Sequence, residues 1–252
     1  MKNIFHILNG DALKTQLPAT ILGEIIIARL CLVDGPVAAA TESELYKIRA
    51  AFISGNYPGY SEIEVLNNTV LEMRKVESIP EGSTVHLWFE DDLFCQVNFW
   101  FILHLLLKHH KKYDLYLVRP KEGCEYSFGR MNQDELIESL DNKLVILKEE
   151  QILLSQFWRL YQQNNLIALR KLTGGLEEKF PFLLSALEAH QDRCVHPSRP
   201  KVAILRIIEA LKTDKFGPVF QAFCQQEKIY GFGDLQVKRL FDEVQKERIE
   251  NS

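Results

Sequence analysis

Four short apolar runs, each followed by polar or turn-forming residues, constrain the fold of this chain most strongly. They occupy positions 3–8, 23–28, 83–89 and 113–119, and stretches with the apolar spacing of helices lie between them. Strands that alternate with helices form βαβ units, whose strands lie parallel in one sheet. The sequence therefore predicts an α/β fold with a mostly parallel sheet of about four or five strands.

The segments between and after these runs predict helices. The first polar loop is expected to lead into a short helix from Asp11 to Leu17, with Asp11 as its N-cap. Longer helices are predicted at 41–54, 61–76 and 93–111. Beyond about Pro120 the strand signal nearly vanishes, and helical spacing recurs at 133–140, 148–164, 166–172, 182–190, 201–211, 218–226 and 234–248. We therefore predict an α/β domain at 1–125 and a helical domain at 126–252.

The charge balance argues against a partner with a strong negative field. A formal net charge of −4 and a pI near 6.0 give no overall basic surface for nucleic acid or an anionic membrane. The last predicted helices could form a helix-turn-helix, but Lys238 and Arg239 are followed by Asp242 and Glu243. A helix that reads a DNA groove carries a cleaner basic face. We therefore do not expect nucleic acid as a partner.

Hydropathy and cysteine spacing predict a soluble protein of a reducing compartment. The most apolar segment, 97–107, is too short to cross the roughly 30 Å of membrane hydrocarbon as a helix. The N-terminal apolar stretch meets Asp11 early, so we expect no secretory signal. The five cysteines are odd in number and widely spaced, which argues against a disulfide framework. We therefore expect free thiols and a cytoplasmic location.

The loop after the first run contributes His6, Asn9, Gly10 and Asp11. A glycine here lets the backbone approach a ligand closely, and a carboxylate at a helix start can accept a hydrogen bond or bind a metal. A plain strand–turn–helix junction, with Asp11 only as a cap, explains the same residues. Both interpretations stay open at this point.

The loop after the second run contributes Asp34 and Gly35, in the sequence Asp-Gly-Pro. A simple turn explains this tripeptide well. Arg49, on the helix that follows, could neutralise an anionic ligand if that helix packs near the loop. An exposed, solvated arginine is an equally good interpretation.

The loop after the third run is acidic. Glu90, Asp91 and Asp92 are consecutive, and Gln96 follows one turn into the next helix. Acidic side chains at a helix start interact favourably with the helix dipole, and that role alone is sufficient. A functional interpretation is Mg²⁺ binding, or acid–base work by one carboxyl group with a raised pKa. We assign no metal, because acid pairs near strand ends are common.

Three segments together resemble a known family. They are His6-Ile7-Leu8-Asn9-Gly10-Asp11-Ala12-Leu13, Leu32-Val33-Asp34-Gly35-Pro36, and Trp88-Phe89 with the acids and Gln96 that follow. This pattern is similar to the bacterial family called domain of unknown function 1835. The C-terminal stretch, with Gly233-Asp234 before its last predicted helix, is similar to the helical region that often follows that domain. The resemblance implies a Rossmann-like domain with a helical appendage. It implies no activity.

These observations favour a small-molecule site at the carboxyl ends of the strands. Ligands of parallel sheets bind where such polar loops gather. The ligand is expected to be phosphorylated or nucleotide-like, with Asp11 and Glu90 as catalytic candidates and no cofactor identified. The ligand-binding candidates are His6, Asn9, Gly10, Asp34, Gly35, Arg49, Asp91 and Gln96.

Other functional classes stay open. One alternative is a non-enzymatic regulatory or adaptor protein that acts through its helical C-terminal region. Another is a hydrolase that uses the acidic run. The sequence contains no Gly-x-x-x-x-Gly-Lys phosphate loop, no Gly-x-Gly-x-x-Gly after the first strand, no Gly-x-Ser-x-Gly elbow and no His-Glu-x-x-His. Whether the chain is an enzyme, and how many copies assemble, are not predicted.

Overall fold

A computed structural model describes residues 3–250 of the chain. Its centre is a five-stranded sheet with the order β2-β1-β3-β4-β5, in which the first four strands are parallel and β5 is antiparallel to β4. The strands are β1 (Ile4–Leu8), β2 (Glu24–Ile27), β3 (Thr84–Trp88), β4 (Asp114–Val118) and β5 (Leu144–Ile146). The predicted α/β class, with a mostly parallel sheet and a helical C-terminal region, is confirmed.

Helices connect the strands and form the C-terminal region. Between the strands lie α1 (Asp11–Gln16), α2 (Glu42–Asn56), α3 (Glu62–Ser78), α4 (Leu93–Leu107) and α5 (Gln133–Asp141). After β5 follow α6 (Lys148–Gln162), α7 (Leu166–Thr173), α8 (Phe182–Cys194), α9 (Arg199–Leu211), α10 (Phe216–Gln226) and α11 (Asp234–Glu250). Short 3₁₀ turns occupy Phe128–Arg130 and Lys228–Tyr230.

The start of α1 differs from the prediction. Gly10 is the N-cap, and Asp11 is the first helical residue; no side chain caps this end. Gly10 has φ +92°, a backbone conformation that suits glycine and that a side chain would strain. The prediction of Asp11 as N-cap was therefore wrong, and its carboxylate is directed to another partner.

The two faces of the sheet bury different amounts of the chain. Ile7, Leu87 and Leu117 belong to one large core that takes in α4 and most C-terminal helices. The neighbouring positions Leu8 and Trp88 face the other way and form a small core with α1 and α5. Because strand side chains alternate between faces, the register divides the buried residues in this way.

The large core runs through both halves of the chain. It contains residues of the parallel strands together with residues of α6, α8 and α11. β5, which lies after position 126, continues the sheet at its edge. The division at 125/126 stays a prediction, while the sheet itself extends beyond it. Within residues 3–250, no helix is both long enough and apolar enough to cross a membrane.

The strand order creates a topological switch point between β1 and β3. The chain leaves β1 for β2 on one side and returns through α2 and α3 to β3 on the other side. In open α/β sheets, ligands bind beyond the carboxyl ends of the strands at such a point. The loops that begin at Asn9, Ala28 and Phe89 all lie at this edge.

Candidate functional site

A pocket of about 520 Å³ opens at the carboxyl ends of β1 and β2. The loops that follow these two strands line it, together with α3, the α2–α3 turn and the first turns of α4 and α11. We call it the strand-end pocket. Its volume lies within the range of sites for small molecules, and its position is the one that parallel sheets use for ligands.

An ion pair between Asp11 and Arg29 lies in the strand-end pocket. Arg29 Nε and Nη2 donate to the two carboxylate oxygens of Asp11, each at 2.7 Å. Nη1 of the same guanidinium donates to the buried Glu72 at 3.3 Å. The hydrogen bond from Arg29 lowers the pKa of Asp11, and the same bond raises the pKa of Arg29. Both groups are therefore charged at neutral pH.

Aromatic, hydroxyl and amide side chains also line this pocket. Tyr60 is 48% exposed at the rim, and Phe94 is half-buried at the first turn of α4. Ser61 and Asn68 are exposed beside them and offer a hydroxyl and an amide. The pocket therefore combines aromatic side chains with hydrogen-bonding groups, as sites for organic ligands do.

Asn9 belongs to a hydrogen-bonded group that joins the first two loops to α4. Its Nδ2 donates to Cys95 Sγ at 2.9 Å, and its Oδ1 accepts from Asn98 Nδ2 at 2.9 Å. The fully buried Asn98 also donates to the carbonyl of Leu30 and accepts the N–H of Leu32. Buried amides in such positions must have partners, so Asn98 fixes the shape of the pocket from behind.

An acidic cluster lies next to the strand-end pocket, beyond β3. It consists of Glu90, Asp92 and Cys95, whose potential ligand atoms all lie within 4.8 Å of one another. Cys95 donates its N–H to Asp92 Oδ1 at 2.9 Å and its thiol to Glu90 Oε2 at 3.0 Å. Burial, together with the neighbouring Glu90, raises the pKa of Asp92 to about 7. Burial also raises the pKa of the Cys95 thiol, which argues against a thiolate nucleophile.

The acidic cluster offers donors for a divalent cation, but its setting opposes one. Asp92 caps the N-terminus of α4, where the helix dipole disfavours positive charge. Glu90 Oε1 already accepts the N–H of Phe128 at 2.7 Å. The raised pKa of Asp92 and the hydrogen bonds within the cluster explain why its side chains lie so close together. We therefore assign no metal to the acidic cluster.

The other residues predicted in the third loop have partners inside the protein. Asp91 forms a bidentate ion pair with Arg119, whose guanidinium lies 4.4 Å from the ring centroid of Phe182. Burial raises the pKa of Asp91. Gln96 is fully buried and donates to the carbonyl of Glu90 at 2.8 Å. These contacts attach the loop to the helical region.

Asp34 connects the second loop to the last helix. Its Oδ2 accepts from Tyr57 Oη at 2.6 Å and from Arg239 Nε at 3.0 Å, and its Oδ1 pairs with Arg239 Nη2. Gln236, one turn earlier on α11, donates to the same tyrosine oxygen at 3.2 Å. Asp34 is therefore a structural tether between two regions that are distant in sequence.

Gly35 and Arg49 shape the second loop from behind. Gly35 has φ +81°, and a side chain at this position would collide with the ring of Phe52. Arg49 is only 4% exposed and donates to the carbonyls of Pro36 and Cys31. Burial lowers the pKa of Arg49. Its guanidinium is used to hold the loop, which answers the question that the sequence left open.

His6 is the central residue of β1 and therefore lies away from the carboxyl end of this strand. Its Nδ1 accepts from Trp88 Nε1 at 3.0 Å, and its ring lies 4.7 Å from that of His86. Burial lowers the pKa of His6. The residue belongs to the small core face rather than to a ligand pocket.

The structure thus separates the predicted site residues into groups. Asn9, Gly10 and Asp11 line the strand-end pocket. Glu90, Asp91 and Gln96 lie together in the loop and helix after β3, and His6, Asp34, Gly35 and Arg49 lie away from the pocket lining.

Several residues of the site were missed from the sequence. Arg29 directly follows the second apolar run, so its position at the sheet edge was a usable signal. Asn98 interrupts the most apolar helix, and a lone amide there also indicates a specific partner. Arg239 reaches Asp34 across 205 positions, and no local pattern predicts that contact.

No family model, curated protein or solved structure matches this chain. The resemblance to domain of unknown function 1835 therefore stays a prediction.

Proposed function

We propose that this chain binds a small, nucleotide-like ligand in the strand-end pocket. The observation that carries the proposal is the pocket itself, which lies at the carboxyl ends of β1 and β2 and is lined by both of their polar loops. Its volume suits a nucleoside or a nucleoside monophosphate better than a larger dinucleotide.

Arg29 is the group that would bind an anionic part of the ligand. Asp11 presents two oxygens to its guanidinium in the same forked geometry that a phosphate or carboxylate uses. The Asp11 side chain is 59% exposed and that of Arg29 36% exposed. Such exposed pairs contribute only about 0–1 kcal/mol, so a ligand oxyanion can replace Asp11 at little cost.

The remaining lining suits the organic part of the same ligand. Tyr60 and Phe94 line the pocket and supply aromatic rings against which a base would pack. Asn68 and the released carboxylate of Asp11 would hydrogen-bond to polar edges or hydroxyl groups. We propose binding rather than turnover, because burial raises the pKa of the Cys31 thiol in the pocket lining, which argues against a thiolate nucleophile there.

We propose a cytoplasmic location, with which both a nucleotide-like ligand and free thiols are consistent. All five cysteines are free thiols. The regulatory or adaptor alternative stays a prediction.

Calorimetric titration and thermal shift with nucleosides and their monophosphates test this proposal. At least one monophosphate should bind the wild-type chain, and Arg29→Gln should weaken that binding about 10- to 100-fold, the contribution of a charged hydrogen-bonding group. Arg170→Gln is the matched control, since it removes an exposed ion-paired arginine outside the pocket. Unfolding curves without ligand check that each variant is folded.

Two outcomes would contradict the proposal. One is the absence of any heat or thermal shift with every nucleoside and monophosphate in the panel. The other is binding that Arg29→Gln and Arg170→Gln weaken equally, because the ligand would then lie elsewhere.

A further inference from the structure

A second, smaller cavity lies on the other side of Gln236 from the strand-end pocket. It has a volume of about 200 Å³ and lies between the second loop, the turn that precedes α9, and α11. Gln236 lines both spaces. Three basic side chains line the small cavity, Arg193, Lys201 and Arg239, against one acidic side chain, Asp34. Its lining is therefore more basic than that of the strand-end pocket.

The three cationic side chains differ in the number of acidic partners with which they form ion pairs. Arg239 is paired with Asp34 and with Glu243. Lys201 pairs with Glu243 at 2.9 Å and with Glu247 at 2.8 Å. Both side chains line the cavity, but their acidic partners already neutralise much of their positive charge.

Arg193 is the cation that has no acidic partner within residues 3–250. Its Nη2 donates to the hydroxyl of Tyr161 at 3.2 Å. Its Nε is buried and has no hydrogen-bond partner among the described residues. Water does not reach this Nε, so it faces the protein and not the cavity. Arg193 itself lines the cavity and is only partly buried, and no acidic side chain of the described residues neutralises its charge. An anion in the cavity would supply that missing charge partner.

The start of α9 adds further donors on the same side. Ser198 is the N-cap of this 13-residue helix, and its side chain makes no capping hydrogen bond. The hydroxyl of Ser198 and the first-turn N–H of Lys201 are therefore available beside the cavity. The positive end of the α9 dipole also favours an anion at this place.

We propose that this cavity binds a tetrahedral oxyanion of the phosphate class. Arg193 supplies the main positive charge, and Ser198 and the first turn of α9 supply neutral hydrogen-bond donors. Lys201 lines the same cavity and adds a partly neutralised charge. The volume of about 200 Å³ accommodates one phosphate group with a few waters and is too small to enclose a whole nucleotide. This proposal is independent of the ligand in the strand-end pocket, because it uses a different cavity and different donors.

Titration of the full chain with inorganic phosphate tests the proposal, at constant ionic strength with chloride as the balancing anion. One phosphate should bind per chain, and sulfate should compete for the same site. Arg193→Gln should weaken phosphate binding about 10- to 100-fold, and Arg193→Lys should weaken it less. Arg206→Gln is the matched control, because Arg206 is an exposed arginine on α9 outside the cavity lining.

Ser198→Ala provides a second variant that leaves the charged groups in place. It should weaken phosphate binding severalfold, so the proposal stays testable if Arg193→Gln does not fold. Parallel titrations with phosphoethanolamine and ribose 5-phosphate distinguish a free anion from the phosphoryl group of a larger molecule. Tighter binding of either ester would show that the site accepts an attached phosphoryl group.

Three results would overturn the proposal. The first is no detectable binding of phosphate or sulfate at millimolar concentration. The second is equal weakening by Arg193→Gln and Arg206→Gln. The third is unchanged phosphate binding in both Arg193→Gln and Ser198→Ala.

Discussion

Gly231, in the turn before α11, covers the acidic cluster, and we expect Gly231→Ala to destabilise the protein strongly. Its backbone has φ +61°, in the left-handed region that L side chains rarely adopt. A Cβ placed there would overlap Oδ1 and Cγ of Asp92 and reach within 3.1 Å of its Cβ. Asp92 is almost fully buried, and the N–H of Cys95 holds its carboxyl group. Neither side of the contact has room to move.

The size of the effect follows from these two features. A left-handed alanine costs about 1–2 kcal/mol. Forcing an extra methyl group against a fixed, buried side chain costs about 1–3 kcal/mol more. The free energy of unfolding should therefore fall by about 2–5 kcal/mol.

Urea unfolding followed by circular dichroism measures this change. Gly55→Ala is the matched control: Gly55 lies in α2, has no left-handed φ, and a Cβ there meets nothing within 4 Å. It should stabilise the protein by up to about 1 kcal/mol. Placed in an Asp92→Gly background, Gly231→Ala should cost only the backbone part, about 1–2 kcal/mol. An equal cost of Gly231→Ala with and without Asp92 would refute the proposed contact.

Two further substitutions test the groups around the strand-end pocket. Asn98→Leu should lower the free energy of unfolding by about 2–4 kcal/mol, because the N–H of Leu32 loses its acceptor and two loops lose their link to α4; urea unfolding that matches the wild type would contradict this. Asp92→Asn keeps an N-cap acceptor and removes a carboxyl group whose pKa burial raises to about 7. In the wild type this carboxyl group stays protonated when folded and ionises when unfolded, so stability falls as pH rises from about 4 to about 7 and is flat above that. Asp92→Asn should therefore gain about 2–4 kcal/mol relative to the wild type over that interval, and parallel pH profiles of the two proteins would contradict the assignment.

The parallel strands and their polar loops could be predicted from the sequence because local patterns determine them. Each of the first four apolar runs forms a strand, and Asn9 and Asp11 lie at the edge where the alternation of strands and helices places them. β5 was missed because it has only three residues and lies between two helices. A run that short has too few positions for a periodic pattern.

The residues that the sequence misplaced depend on side-chain direction and on distant packing. His6 shares a strand face with Leu8, so the two-residue repeat of a strand already placed it in the interior. Arg49 could face solvent or the loop, and only the packing of α2 decides that it is buried. The partners of Asp34 and Arg193 come from other elements, and composition near either residue does not reveal them.

The ion pair between Asp34 and Arg239 has a consequence for the order of events during synthesis. Its two members are 205 positions apart. At about 5–20 residues per second, roughly 10–40 s separate the translation of the first from that of the second. During this time the second loop has its aspartate but lacks its partner, and the side of the large core that α11 covers stays open. The second loop can therefore reach the form described here only after α11 has been synthesised.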